Sequence, residues 1–209
     1  MVRFVVLRAA RSFSPVVRMM GSKPIMETFE EWKQAQYSFC PKCGGGLERR
    51  CLKPAEPERL VCRTCGFVFF LDPKVAVGTI ISLEGRILLV RRAIEPAYGK
   101  WVFPGGFVDR GEPLEAAAIR EAREECNLLV RVSQLLNIYS SANHPVIVVV
   151  YIAEAIGGEA TAGDETLEAK AFVPAAIPWD DLAFPSTAQA LRDYLKQLDP
   201  LAHLGGRLP

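Results

Sequence analysis

One stretch constrains this chain more than any other: GGFVDRGEPLEAAAIREAREECNL, residues 105–128. Read with its gaps, it is Gly106, five residues, Glu112, seven residues, then Arg120-Glu121-Ala122-Arg123-Glu124-Glu125 and an apolar Leu128. Pro113 suits the first turn of a helix, where a missing N–H goes unnoticed, and Leu114 to Cys126 contains neither Gly nor Pro, so the spacing predicts a helix fed by a glycine loop. Glu121, Glu124 and Glu125 fall at i, i+3 and i+4, on one face. Like charges at those spacings repel, so the face gains nothing unless a cation sits among the carboxylates. Ligands that are all oxygen select a hard ion, Mg²⁺ or Mn²⁺, over zinc. Leu114, Ala117 and Ala118 begin the same face and allow the Gly105-Gly106 loop to come close. Ile119, Ala122 and Cys126 form the flank expected to pack on a sheet. The helix is therefore expected to be wedged into the fold with its acidic end facing a cleft.

The spacing resembles the signature box of the Nudix hydrolases, which cut diphosphate linkages attached to a nucleoside or similar group. The resemblance implies an α+β fold, an α/β/α sandwich around a mixed sheet. It also implies that Glu121, Glu124 and Glu125, with the carbonyl of Gly106, hold one to three Mg²⁺ (or Mn²⁺) ions. In such enzymes a glutamate just before a later strand often completes the metal site or serves as base; Glu168 matches that place best and Glu165 is the runner-up. The water's proton would go to Glu124 or Glu168, while Glu112 and Arg120 are assigned to structure, the second steering the carboxylates by ion pairing. One position departs from the pattern: Asn127 stands where glycine is usual. Asn is the next best residue for a left-handed helix end, so the turn is expected to survive.

A second metal site is written in cysteines. Cys40-Pro-Lys-Cys43 and, after eighteen residues, Cys62-Arg-Thr-Cys65 have the spacing of a zinc ribbon, four thiolates around one tetrahedral Zn²⁺. With all four positions filled by protein, that zinc is structural. Cys51 and Cys126 fall outside the pattern and read as a loop thiol and a core thiol.

The chain has 209 residues, half of them hydrophobic, and a net charge of +1. That allows one substantial core plus a small annex, and gives no global electrostatic case for nucleic acid or membrane as partner. Its longest apolar run, Val146 to Ile152, is too short to span a bilayer. Residues 1–26 carry five basic residues and no acid, which suits either a transit-like extension or a start placed too far upstream. The domain reading is then 1–26 extension, 27–71 zinc ribbon, 72–198 Nudix domain and 199–209 tail, with a cytoplasmic location, or an organelle if the extension is a transit peptide.

Within the larger domain, Val75–Ser82 and Ile87–Val90 read as a hairpin about Glu84-Gly85. Arg91 and Arg92 end it, either as solvated caps or as a bidentate grip on a diphosphate. Trp101–Phe103, Leu128–Tyr139 and Val146–Ala155 read as further strands. Ile177–Leu182 looks like a short helical turn, and Leu191, Tyr194, Leu195 and Leu198 predict a terminal amphipathic helix. A zinc ribbon ahead of a Nudix domain is similar to two subgroups. NADH pyrophosphatases carry an SQPW-type motif after the box, and Tyr139–Val146 lacks it. FAD or ADP-ribose pyrophosphatases are the better match, on Leu182-Ala-Phe-Pro-Ser-Thr187. The expected reaction is Mg²⁺-dependent cleavage of a small nucleoside diphosphate derivative to a monophosphate and a phosphorylated remainder. Phe184 or Tyr139 could stack on the base, and a homodimer is common in the family. The alternatives are NADH cleavage, processing of RNA ends with the ribbon as a nucleic-acid module, for which the ribbon lacks interleaved aromatics, and a silent ligand sensor, which the intact carboxylate set opposes.

Overall fold

The computed structural model describes residues 37–142 and 144–198. The proposed extension, the first ten residues of the ribbon domain and the tail lie outside the described residues. The ribbon is a three-stranded antiparallel sheet of β1 (Leu47–Arg50), β2 (Arg59–Cys62) and β3 (Val68–Phe69). Its strands are short, and the two cysteine knuckles sit at its turns.

The larger sheet holds β4 (Lys74–Leu83), β5 (Arg86–Arg92), β6 (Trp101–Val102), β7 (Gly105–Phe107), β8 (Leu128–Tyr139), β9 (Val146–Gly158) and β10 (Thr166–Phe172). Five of them run in the order β10-β5-β4-β9-β8, with β6 beside β5 and β7 beside β4. β4 and β9 pair in parallel from Lys74↔Val146 to Ser82↔Glu154, and the other pairings are antiparallel, so the sheet is mixed. The β4–β5 hairpin is joined only at its tip, Ser82↔Ile87 and Leu83↔Arg86. Lower down, Ala76–Gly78 of β4 pairs with β7 instead. That exchange of partners brings the glycine loop against the middle of the sheet.

Among the described residues, two helices complete the layers, α1 (Leu114–Cys126) and α2 (Pro185–Leu198). Ala117 and Ala118 of α1 pack with Val77, Val149 and Tyr151, and the Thr79 hydroxyl donates to the Ala118 carbonyl at 3.3 Å. Ala190, Leu191 and Tyr194 of α2 join the main core with Ile80, Leu88 and Val150. Small residues on α1 let it sit close to the sheet, as its alanines require. Ile119, expected on the buried flank, is instead 38% exposed, because the core-facing stripe runs through Ala118, Ala122 and Cys126. The segment Leu182–Thr187 leads into α2, which begins at Pro185; the short turn expected over Ile177–Leu182 is the 3-10 turn Trp179–Asp181, and a second, Pro174–Ala176, precedes it unannounced by the sequence. Among the described residues no helix is long and apolar enough to cross a membrane.

Candidate active site

The C-terminal half of α1, the β7 loop and the loop after β9 enclose a cavity of about 860 Å³. Its carboxylates come from Asp109, Glu121, Glu124, Glu125, Asp164 and Glu165. Glu121 and Glu125 are only 8% and 7% exposed, a burial that carboxylates tolerate only with partners. The Gly105 N–H donates to Glu125 Oε2 at 2.8 Å. At Gly106 a Cβ would lie 2.5 Å from both Glu121 carboxylate oxygens, so any side chain there would displace Glu121. The glycine loop and the helix face are thus fitted to one another, as the sequence spacing requires.

Burial pushes Glu125 up from the ordinary 4.5 to about 7, against the opposing Gly105 hydrogen bond and with the charges of Glu121 and Glu165 adding to the rise. Burial raises Glu121 as well. The Arg120 guanidinium organises this cluster. It donates to both oxygens of Glu112 at 2.9 Å, to Glu121 Oε1 at 2.7 Å, to Glu124 Oε2 at 3.1 Å and to the Phe107 carbonyl at 3.2 Å. In return, the hydrogen bonds from Arg120 hold Glu112 down at about 2. Three guanidiniums line the cavity, Arg92, Arg120 and Arg123, against six carboxylates, so the site remains net negative. The donor set is entirely oxygen, with Glu121 and Glu125 buried and Glu124 and Glu165 open to the cavity, which fits a hard divalent ion.

The structure does not treat all the sequence candidates alike. Glu121, Glu124, Glu125, Gly106 and Arg92 line the cavity; Glu168, Arg91 and Phe184 do not. Glu168 lies within β10, opposite Arg91, beyond an irregularity in the ladder between Thr166 and Glu168. Glu165 takes the place at the cavity, its carbonyl accepting the Ala93 N–H at 2.8 Å. Arg91 turns its Nε to the Gly99 carbonyl at 2.8 Å. The ring of Phe184 lies beneath Arg92, 5.2 Å from its Cζ. Tyr139 is a core residue whose hydroxyl donates to Asp193 Oδ2 at 3.1 Å. The sequence places a loop ending at Glu165 but assigns nothing to Thr161 and Gly163 within it, nor to the large apolar residues at the cavity, Ile94 and Phe107. Only the glycines around that loop signal it in the sequence.

The four knuckle cysteines converge so that all four sulfurs lie within 4.8 Å of one another. Cys40 and Cys65 Sγ are 3.8 Å apart, and Cys43 and Cys62 Sγ 3.5 Å. A tetrahedron with Zn–S of about 2.3 Å has edges of about 3.8 Å. Backbone N–H groups point at the sulfurs: Lys42 at Cys40, and Thr64 and Cys65 at Cys62, each at 3.4 Å. The hydrogen bond from the Cys65 N–H leads the causes that lower the Cys62 thiol, while Cys43, against the opposing Gly45 backbone hydrogen bond, is raised by its hydrogen bonds to the other three sulfurs, so the four thiols share their protons as one cluster.

Comparison with known proteins matches the NUDIX domain family to residues 72–198 and the family described as Nudix N-terminal to residues 38–70. An ADP-ribose pyrophosphatase of Methanocaldococcus jannaschii is 40% identical over 131 residues, 61% of this chain and 76% of that protein. The NAD-capped RNA hydrolase NudC of Stutzerimonas stutzeri is 27% identical over 135 residues, 64% of this chain but only 47% of its own length. Among solved structures, a NUDIX hydrolase from Nitrosomonas europaea superposes with a TM-score of 0.74 at 33% identity, covering 81% of this chain and 94% of the other.

Proposed function

Since this chain belongs to the Nudix family, we propose that its cavity hydrolyses the diphosphate linkage of ADP-ribose or a close nucleoside diphosphate derivative. The observation that carries this reading is one cavity lined by Glu121, Glu124, Glu125 and Glu165, in which Glu121 and Glu125 meet the Gly105-Gly106 loop. Similarity to the archaeal ADP-ribose pyrophosphatase supports the choice of substrate. The box carboxylates, the Gly106 carbonyl and Glu165, in place of Glu168, would hold Mg²⁺ or Mn²⁺. Such an ion, when bound, offsets diphosphate charge and lowers the pKa of a water.

The protein's own groups do the rest. Arg92 stands half-buried at the cavity, its Nε held by the Pro96 carbonyl at 2.9 Å, and its terminal N–H groups would be offered to phosphate oxygens. Ile94 and Phe107 supply apolar surface for the part of the substrate that does not react. Glu165 or Glu124 takes the proton of the attacking water as its oxygen bonds to phosphorus and the bridging P–O bond breaks. For ADP-ribose the products are AMP and ribose 5-phosphate. The cysteine site would hold its zinc for structure alone.

The test is a panel of ADP-ribose, FAD, NADH, coenzyme A and nucleoside triphosphates, assayed with Mg²⁺. ADP-ribose is expected to give the highest kcat/KM. Glu124→Gln and Glu125→Gln are expected to reduce kcat by about 10²–10⁴-fold with unchanged circular dichroism. A near-normal rate in either variant would overturn the assignment.

A further inference from the structure

The loop between β9 and β10 is anchored where a helix has most need of partners. The last carbonyls of an α-helix have no donors within it. Here the loop provides them: Thr161 N–H reaches the Cys126 carbonyl at 3.2 Å, Gly163 N–H the Glu125 carbonyl at 3.2 Å, and the Thr166 hydroxyl the same Glu125 carbonyl at 2.9 Å. The approach is close. A Cβ at Gly163 would lie 1.8 Å from the Glu124 carbonyl oxygen.

Thr166 ties this contact together. It is 6% exposed, and its hydroxyl accepts the Gly163 N–H at 2.8 Å while donating to Glu125. Its neighbour Glu165 is thereby held from two directions. On one side the Thr166 hydroxyl binds the helix that carries Glu121, Glu124 and Glu125. On the other, the Glu165 carbonyl is held by Ala93 N–H, just beyond Arg92 at the end of β5.

We propose that Thr166 is a positioning residue of the carboxylate site: its buried hydroxyl sets the place of Glu165 relative to the three glutamates of α1, so that all four address the same divalent ions. The proposal rests on the metal-dependent reading of the cavity. A hydroxyl that bonds the main chain of a ligand-bearing helix acts as outer partners of metal sites do, and loss of such partners typically weakens metal binding 10–100-fold. Valine has nearly the shape of threonine and neither hydrogen bond.

The experiment measures Mn²⁺ binding to the full chain by calorimetry, without substrate. Thr166→Val is expected to raise the Mn²⁺ Kd about tenfold, and Thr166→Ser, which keeps the hydroxyl, to restore it to within about threefold. In a Glu165→Gln background, Thr166→Val is expected to add nothing, because both changes remove the same contribution. An equal further loss in that background would show a general structural role and overturn the proposal, as would wild-type Mn²⁺ affinity in Thr166→Val. Should Thr166→Val not fold, hydrogen exchange in the wild-type protein decides: metal-free and Mn²⁺-loaded samples are expected to differ in protection of the Gly163 amide, and equal protection overturns the proposal. Failure of the parent reading looks different, since the wild-type protein would then bind no Mn²⁺ at all.

Discussion

Glu125 carries its carboxyl where water can hardly reach it. Its folded-state pKa of about 7 lies above the ordinary 4.5, so between those values the native state binds the proton more tightly than the unfolded chain. In metal-free protein, stability from this group is therefore present below about pH 4.5 and is lost as pH rises through about 7. A shift of that size corresponds to about 3 kcal/mol. Glu121, raised in the same direction, adds to the fall. Thermal unfolding in chelator at pH 5.5 and 8.5 should show the decline, Glu125→Gln should flatten it, and Mg²⁺ should recover the loss at the higher pH. At this scale the sequence was legible wherever spacing on one helix decides position: Glu121, Glu124 and Glu125 share a face because 3.6 residues make a turn. Glu165 was not distinguishable from Glu168, because a ladder irregularity just after Thr166 decides which carboxylate precedes the strand and which joins it. Arg91 and Arg92 were equally inseparable, since adjacent strand residues face opposite ways and only the fold says which way is the cavity.

Helix α1 is built unequally at its two ends. Pro113 precedes it and contributes no side-chain cap, whereas Asn127 closes it in the left-handed conformation at φ 55°, its N–H donating to the Arg123 carbonyl at 3.0 Å. Asparagine accepts that backbone more readily than residues other than glycine. Asn127→Ala is accordingly expected to lower stability by about 1 kcal/mol, and Asn127→Gly to preserve it, by chemical unfolding. The departure from the usual family glycine was visible in the sequence, and so was its tolerance. Strand existence was legible too, from β-branched runs such as Val75–Ile81. Pairing was not: β4 takes β5 only at the hairpin tip, β7 along its first half and β9 as its parallel neighbour. Those choices depend on residues up to about seventy positions away, which local pattern does not encode.

At the scale of the molecule, two sheets that share no strand divide the work. The ribbon's sheet has three short strands and few buried apolar side chains, Val61 among them, so on the zinc reading of its four cysteines the metal would supply most of its folding free energy. A zinc-selective chelator is expected to abolish protection from hydrogen exchange across residues 37–71 while Mg²⁺-dependent hydrolysis of ADP-ribose stays within about threefold; a collapse of activity in step with the ribbon would show that the two parts depend on each other. In the larger sheet, β4 is made early in synthesis and waits for β9, its parallel partner, through the whole of the intervening hairpin, glycine loop and acidic helix. On the ribosome, the floor under those glutamates is missing until residue 158 has emerged. Even then the cavity is incomplete, because the loop that carries Glu165 and the edge strand β10 are made only afterwards.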